Sequence, residues 1–227
     1  MATDEVPRPG FFEKFQELQA TMLRVNAGLK DFHNYQSRPL EWPLLLRGIS
    51  FWVRSVIEQI YFLGNPLVWW ASAFGVPMFC GSWFASRLRM RRGLGVEEGT
   101  WRRFGLETVW LTALVVEVWS KTSNGCAFLF LGWLLHYAPF FPMDRCLFLH
   151  HYLAAYLFSM MLFAGFVDTI IAGSSSQTKW AACCVIMAIF AWSFVYFMPL
   201  AYGTPFASQS EVADRKWLSG WDFIIVR

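Results

Sequence analysis

The side chains best suited to chemistry lie in one short stretch between two apolar runs. Three histidines, an arginine and two tyrosines fall within the seventeen residues from His136 to Tyr152. Arg145 with His150 or His151 could hold a phosphate, because arginine presents a planar fork of donors and histidine donates near neutral pH. Alternatively, these side chains only bind backbone groups at a helix start. Zinc is disfavoured, because no third ligand has suitable spacing.

A second polar stretch, SRPLEWPLLLRG at 37–48, places Arg38, Glu41 and Arg47 among prolines. It is either an ordered loop with an internal ion pair, or a loop whose arginines support a substrate or donor phosphate. Asp168 is interpreted as a residue at a membrane boundary. None of the motifs GxSxG, HExxH, GxGxxG or the phosphate-binding P-loop occurs. We therefore predict no catalytic residue and no metal ligand or cofactor in this sequence.

Composition places these side chains in a membrane protein. The 227 residues are 56% hydrophobic and only 15% charged, whereas a soluble domain is about 45–50% apolar and about 25% charged. The net charge of +3 and the absence of a basic stripe with interleaved aromatics argue against a nucleic-acid partner. The five cysteines suggest neither a disulfide framework nor a zinc site.

Four runs without Asp, Glu, Lys or Arg are long enough for the roughly 20 residues that cross a bilayer. They predict an all-α membrane domain over 66–200 with four transmembrane helices, at about 66–86, 122–142, 148–170 and 180–200. A GSSSQTK turn at 173–179 separates the last two.

The loop 87–103 is the strongest indication of topology, with six arginines against two glutamates. The positive-inside rule places it in the cytosol. The residues 1–65, the turn near Arg145 and the tail 201–227 are then luminal.

Two further segments are predicted to be helical without crossing. Residues 11–30 carry apolar side chains at intervals of three and four, which predicts an amphipathic helix. Residues 105–122 include Glu107 and Glu117, whose burial in lipid would cost several kcal/mol, so they predict an interfacial helix. Residues 31–65 are predicted as an ordered loop with an extended piece at Gln59–Leu63.

Five motifs in order resemble the C-terminal four-span region of the protein O-mannosyltransferases. They are SRPLEWPLLLRG (37–48), QIYFLGNPLVWW (59–70), LGWLLHYAPFFPMDRCLFLHHYL (131–153), PLAYGTP (199–205) and KWLSGWDF (216–223). The preceding KFQELQATMLRVNAGLKDFHNYQ looks like the family segment that follows the luminal β-trefoil repeats. The resemblance covers about 11–223 apart from one interval.

The resemblance implies a multi-pass protein of the endoplasmic reticulum membrane, the C-terminal part of a GT-C-type glycosyltransferase fold. It implies transfer of mannose from dolichyl phosphate mannose to Ser or Thr of acceptor polypeptides, by a dimer with another family transferase. In this setting Arg145, His150 and His151, with Arg38 or Arg47, become candidates for the donor-phosphate site.

The sequence departs from the family in several places. The family's catalytic Asp-Glu pair and its luminal repeats have no counterpart here, and 105–122 is extra, as a retained intron or an insertion would explain. Ala154 replaces an expected proline and Asp144 an expected glycine. The alternative hypothesis is therefore an inactive fragment or membrane scaffold that pairs with a full-length transferase.

Overall fold

Helices dominate the computed structural model, which describes residues 10–92 and 125–223. One two-stranded antiparallel sheet lies between the first two helices. The elements in chain order are α1 (Phe11–Gly28), β1 (Ile49–Ser55), β2 (Glu58–Phe62), α2 (Pro66–Arg91), α3 (Gly125–Phe140), α4 (Leu153–Ile171), α5 (Ser176–Tyr202) and α6 (Gln209–Asp214). Single 3-10 turns occur at Pro39–Glu41 and Leu149–Tyr152, and the last turn of α3, Ala138–Phe140, is also a 3-10 turn.

Three helical segments are long and apolar enough to cross a membrane, and they coincide with predicted spans. They are Pro66–Ala85, Leu149–Ile171 and Ser176–Tyr202. In the predicted second span, 122–142, the described helix Gly125–Phe140 is apolar but shorter. The predicted interfacial helix at 105–122 lies outside the described residues.

The last long helix begins four residues before the predicted position 180. Ser175 causes the early start, because its hydroxyl accepts a hydrogen bond from the backbone N–H of Thr178 at 3.2 Å and so caps the first turn. Lys179 lies inside this first turn, where a charge is tolerated. The helix ends at Gly203, whose φ of 68° is readily adopted by glycine.

The predicted loop 31–65 contains a β-hairpin, so the expected all-α class was incomplete. The predicted extended piece Gln59–Leu63 is strand β2, which pairs with β1 from Ile49↔Phe62 to Ser55↔Glu58. The tight turn consists of Val56 and Ile57, without the Asn-Gly or Asp-Gly pair that usually identifies a hairpin. Two irregularities in the strand register also interrupt the alternation of side chains between the two faces of β1, which makes the strand harder to predict.

Small residues allow two of the long helices to approach closely. A Cβ atom on Gly75 of α2 would lie 2.7 Å from the backbone nitrogen of Phe163 in α4. Ser72 and Ser159 are buried, and each satisfies its hydroxyl on a backbone carbonyl of its own helix. Small residues at the crossing are typical of helix pairs in membranes, where close backbone packing stabilises association.

The main core lies at one end of the helices. It joins the loop before β1, the hairpin, the adjoining ends of α2 to α5 and the tail after α6. In contrast, only 11–28% of each long apolar segment is buried. The largest fully buried side chains are Trp42, Tyr61, Trp69, Tyr152 and Trp221. Each such ring removes about 150–250 Å² from solvent, so aromatic packing dominates this end of the fold.

Candidate functional site

Trp42 fixes the loop that carries Arg38. Its side chain is fully buried, and its indole N–H donates to the hydroxyl of Ser37 at 2.9 Å. Its carbonyl oxygen accepts from the indole N–H of Trp69 at 2.7 Å. The 3-10 turn Pro39–Glu41 is therefore held against the first turn of α2.

Leu45 reverses the chain between Arg38 and Arg47. Its φ of 54° is left-handed, which costs a residue other than glycine roughly 1–2 kcal/mol. The side chain is fully buried, and the Leu45 carbonyl accepts a hydrogen bond from the Trp221 indole at 2.7 Å. This burial and this hydrogen bond offset the strain, so that both arginines line the same cavity.

Arg47 is held by an acidic partner from the far end of the described chain. Its Nε and Nη2 atoms donate to one oxygen of Asp222 at 3.1 and 2.9 Å, and Nη1 donates to the carbonyl of Gln36 at 3.3 Å. The two charged side chains are only 36% and 41% exposed. All three nitrogens of the Arg47 guanidinium thus have a protein acceptor, which leaves this group less available for a ligand.

Arg38 differs from Arg47 because its guanidinium forms no hydrogen bond or ion pair within 10–92 and 125–223. Its backbone is engaged instead: the N–H donates to the carboxylate of Glu41 at 3.1 Å, and the carbonyl accepts from the N–H of Glu41 at 2.9 Å. The side chain is exposed. Among the predicted arginines, Arg38 therefore has the most donors available for an anion.

Arg145 connects the turn before α4 to α1. One Nη atom donates to the side-chain oxygen of Asn26, and the other donates to Nε2 of His151 at 2.7 Å. Its Nε is buried without a partner among the described residues. An unpaired buried donor costs about 1–3 kcal/mol, so the position of Arg145 is maintained at the expense of stability.

His151 is fixed in one tautomer by this contact. Since arginine cannot accept a hydrogen bond, Nε2 of His151 must be the acceptor. The proton then lies on Nδ1, which donates to the carbonyl of Phe148 at 3.0 Å. The His151 ring also stacks on Trp42 at a centroid distance of 6.1 Å. His151 therefore holds the Arg145 guanidinium in a fixed orientation.

A cavity of about 500 Å³ brings the predicted arginines together. The loop 36–41 and Arg47 form one wall, and the turn between α3 and α4 forms the other. Arg38, Arg47 and Arg145 line it with a single carboxylate, that of Glu41. Because Asp222 offsets the charge of Arg47, the remaining charges are Arg38 and Arg145 against Glu41. This excess of one positive charge favours an anionic ligand.

The two predicted histidines do not line this cavity. His151 acts through Arg145, as the hydrogen bond above shows. His150 is exposed and stacks on the ring of His151 at 4.5 Å. His136, the third histidine of the stretch, binds the carbonyl of Gly132 in its own helix at 2.8 Å. No group of three or more metal-ligating side chains occurs in the part of the chain that the structure describes.

The segment after α1 packs against the turn that carries Arg145. The backbone N–H of Cys146 donates to Leu29 and that of Ser37 to Leu147, at 2.9 and 2.8 Å. Lys30 binds Asp144 at 2.7 Å, and this hydrogen bond holds the pKa of the exposed Asp144 carboxyl below its usual range. A second cavity of about 380 Å³ lies here, and Arg145 lines both cavities.

Asn26 and Asp222 are the site residues that sequence reasoning missed. Both orient an arginine, but they lie 119 and 175 positions from it. No local spacing connects partners so distant. The only available signal for Asp222 was its place in the motif KWLSGWDF at 216–223.

Comparison with known proteins gives a consistent result. Residues 11–221 match the family described as the C-terminal four TMM region of protein-O-mannosyltransferase. Dolichyl-phosphate-mannose–protein mannosyltransferase 1 of Saccharomyces cerevisiae is 34% identical over 94% of this chain. Mannosyltransferase 4 of Candida albicans is 33% identical over 92% of it, and protein O-mannosyl-transferase 2 of Danio rerio is 33% identical over 96%.

A solved structure is also similar. The S. cerevisiae protein O-mannosyltransferase Pmt1–Pmt2 complex bound to the sugar donor matches 96% of this chain with a TM-score of 0.72 and 34% identity. The match covers 28% of that chain, and the three curated relatives are covered over 27%, 24% and 29% of their length. This chain therefore corresponds to about a quarter of the proteins that it resembles.

Proposed function

Because this chain belongs to the protein O-mannosyltransferase family, we propose that it forms the C-terminal membrane region of such an enzyme. In this proposal α2, α3, α4 and α5 are four crossings of the endoplasmic reticulum membrane. The core end of the helices, with the loop 31–65 and the tail after α5, faces the lumen. The reaction is the transfer of mannose from dolichyl phosphate mannose to Ser or Thr hydroxyls of secretory polypeptides.

One observation carries the proposal for the site. Arg38, Arg47 and Arg145 come from two parts of the chain about a hundred residues apart and line one cavity of about 500 Å³. In the reaction, the acceptor oxygen bonds to the anomeric carbon of mannose as the bond from that carbon to the phosphate oxygen breaks. The phosphate leaves with additional negative charge. Fixed arginines beside it stabilise this charge in the transition state.

The contacts of each candidate residue support a different role in phosphate binding. Arg38 binds the phosphate directly, because its guanidinium is engaged by no other described residue. Arg145 lines the cavity and contributes its positive charge, and Asn26 and His151 position it. Arg47, already bonded to Asp222, contributes charge and shape more than free donors. His150 remains a weaker candidate, since it does not line the cavity.

These residues supply only the leaving-group side of the chemistry. A carboxylate base must take the proton of the acceptor hydroxyl, and the family resemblance assigns that role to an Asp-Glu pair outside the matched region. We propose that the base comes from the N-terminal membrane half of a transferase. The solved relative is a complex of two transferases, which supports a second proposal, that this region pairs with another family member.

The test places single substitutions in the matching motifs of a complete family enzyme. Arg38→Ala and Arg145→Ala should weaken donor binding about ten- to a hundredfold, as expected when a hydrogen bond to a charged group worth about 1.5–3 kcal/mol is lost. Arg54→Ala is the control, because Arg54 is an exposed arginine on β1 outside the cavity. Normal donor affinity in both variants would refute the site.

His151→Ala separates a positioning role from direct binding. We expect it to weaken donor affinity less than Arg145→Ala, and His151→Asn to restore part of the loss by accepting from Arg145. If Arg145→Ala, His151→Ala and His151→Asn all fail to fold, Arg145 and His151 instead stabilise the turn before α4.

A further inference from the structure

A second basic surface lies at the other end of α2, far from the cavity described above. Trp83, Phe84, Arg87, Leu88 and Arg91 line a groove of about 580 Å³. Their spacing of one, four, five and eight residues puts them on one face of the helix. Nothing in the proposed transfer reaction uses this groove.

Helix geometry places the groove at a membrane boundary. At a rise of about 1.5 Å per residue, Arg87 lies about 27 Å and Arg91 about 33 Å along the axis from Trp69. The hydrocarbon layer is about 30 Å thick. If Trp69 lies at one boundary, these two arginines therefore reach the headgroup layer on the opposite side, which the positive-inside rule makes cytosolic.

The groove has both apolar and positively charged side chains, as the binding site of an amphipathic ligand requires. Phe84 is 60% exposed and Leu88 37% exposed, with no protein partner that covers them in the described chain. The guanidinium carbon of Arg87 lies over the Trp83 ring at 5.4 Å from its centroid, a cation–π contact that places the charge beside the apolar part of the groove. Within 10–92 and 125–223 neither Arg87 nor Arg91 forms a salt bridge.

We propose that this groove binds the headgroup of an anionic phospholipid, with the phosphate on Arg87 and Arg91 and the acyl chains along Phe84 and Leu88. Charge decides against a zwitterionic lipid, because two arginines without an acidic partner among the described residues attract a net negative headgroup and repel a choline group. The inference depends on the proposed membrane crossing of α2. It does not depend on the transferase assignment.

The experiment titrates the purified full chain in detergent with phosphatidylserine or phosphatidylcholine and counts bound lipids by native mass spectrometry. The unmodified chain should bind phosphatidylserine more tightly than phosphatidylcholine. Each arginine near an anionic surface contributes about a fivefold gain, so Arg87→Gln with Arg91→Gln should weaken phosphatidylserine binding about thirtyfold. Binding of phosphatidylcholine should not change.

Two variants control for charge and folding. Arg54→Gln removes one positive charge, as the single Arg91→Gln does, from an exposed arginine on the hairpin at the other end of α2, and should leave lipid binding unchanged. Arg87→Lys with Arg91→Lys keeps the charge and should retain most of the preference for phosphatidylserine. If the double glutamine variant does not fold, the single Arg91→Gln should still show about a fivefold loss.

Three results would overturn the proposal. The first is equal binding of both lipids by the unmodified chain, and the second is an unchanged preference in the glutamine variants. The third is binding of soluble glycerophosphoserine as tightly as the lipid, which would identify a site for free phosphate esters. Failure of the chain to float with vesicles of either lipid overturns the crossing of α2 as well, whereas flotation without preference overturns only this inference.

Discussion

The indole N–H of Trp221 donates to the carbonyl oxygen of Leu45 at 2.7 Å, across 176 positions of sequence. Both side chains are fully buried, and Leu45 has the left-handed backbone that turns the loop toward the cavity. The next residue after Trp221 is Asp222, which holds Arg47. The tail thus supports the strained turn and one arginine of the candidate site at the same time.

Trp221→Phe should lower the free energy of unfolding by about 1–3 kcal/mol, because the buried carbonyl of Leu45 would lose its partner while most of the ring volume remains. Chemical unfolding in detergent, followed by circular dichroism, measures the loss. Trp217→Phe is a matched control, since Trp217 is 36% exposed. Equal effects of the two substitutions would show that ring volume, and not the hydrogen bond, matters here.

Gly75→Ala should separate α2 from α4 and cost about 1–3 kcal/mol, since the new methyl group would lie 2.7 Å from the backbone nitrogen of Phe163. Gly81→Ala lies in the same helix with no heavy atom within 4 Å of the added carbon. The control should be neutral or gain up to about 1 kcal/mol from helix propensity. Thermal unfolding of both variants in one detergent provides the comparison. A stable Gly75→Ala variant would contradict the close crossing.

Tyr61 should make the fold sensitive to alkaline pH. Burial raises the pKa of its hydroxyl to about 12, against the opposing effect of hydrogen bonds from the N–H groups of Asp222 and Gly48. A folded-state pKa above the unfolded value of about 10 means that the neutral form is favoured by folding. The corresponding stability, about 2–3 kcal/mol, is complete below pH about 10 and is lost as pH rises through about 12.

Unfolding transitions across this pH window test the prediction. Tyr61→Phe should begin from lower stability, because two N–H groups lose their acceptor, but should lose less between the two pH limits. Tyr202→Phe, an exposed tyrosine, is the control and should follow the unmodified chain. Parallel pH curves for all three proteins would show that Tyr61 does not titrate with unfolding.

The proposed topology predicts a pattern of glycosylation. Acceptor sites inserted in the loop 87–103 should remain unmodified, while sites inserted after Tyr202 should be glycosylated, because only luminal sites meet the glycosylation enzyme. Mobility shifts that disappear on enzymatic deglycosylation provide the measurement. The reverse pattern would invert the membrane orientation, and with it the luminal assignment of the arginine cavity.

The long apolar helices were predictable because their signal is local. Each was predicted from a continuous apolar run, and in three of the four predicted spans the structure has a helix long enough to cross a bilayer. In the second, the described helix Gly125–Phe140 is shorter. The hairpin was only half predicted, since the turn at Val56 and Ile57 has no glycine or asparagine to identify it. Local periodicity thus predicted the helices, whereas the pairing of β1 with β2, which depends on tertiary contacts, could not be predicted from the sequence.

The candidate site divides in the same way. Residue type and spacing made Arg38, Arg47 and Arg145 candidates, and in the structure the three line one cavity. Their role in binding a phosphate stays a prediction. The sequence could not distinguish an engaged guanidinium from an available one. That distinction depends on Asp222 and Asn26, which approach from distant segments. The stacking of His151 on Trp42 is likewise a contact between distant segments.

The distance along the chain between Leu45 and Trp221 also sets an order of events during synthesis. The loop that carries Arg38 and Arg47 leaves the ribosome long before its partners in the tail exist. During that interval Leu45 lacks the hydrogen bond from Trp221 and the packing of the tail, and incompletely buried apolar segments of this kind are prone to aggregation. The arginine cavity is therefore among the last features to form. A nascent chain that stops short of Trp221 should be a target for membrane quality control even when all its helices are inserted.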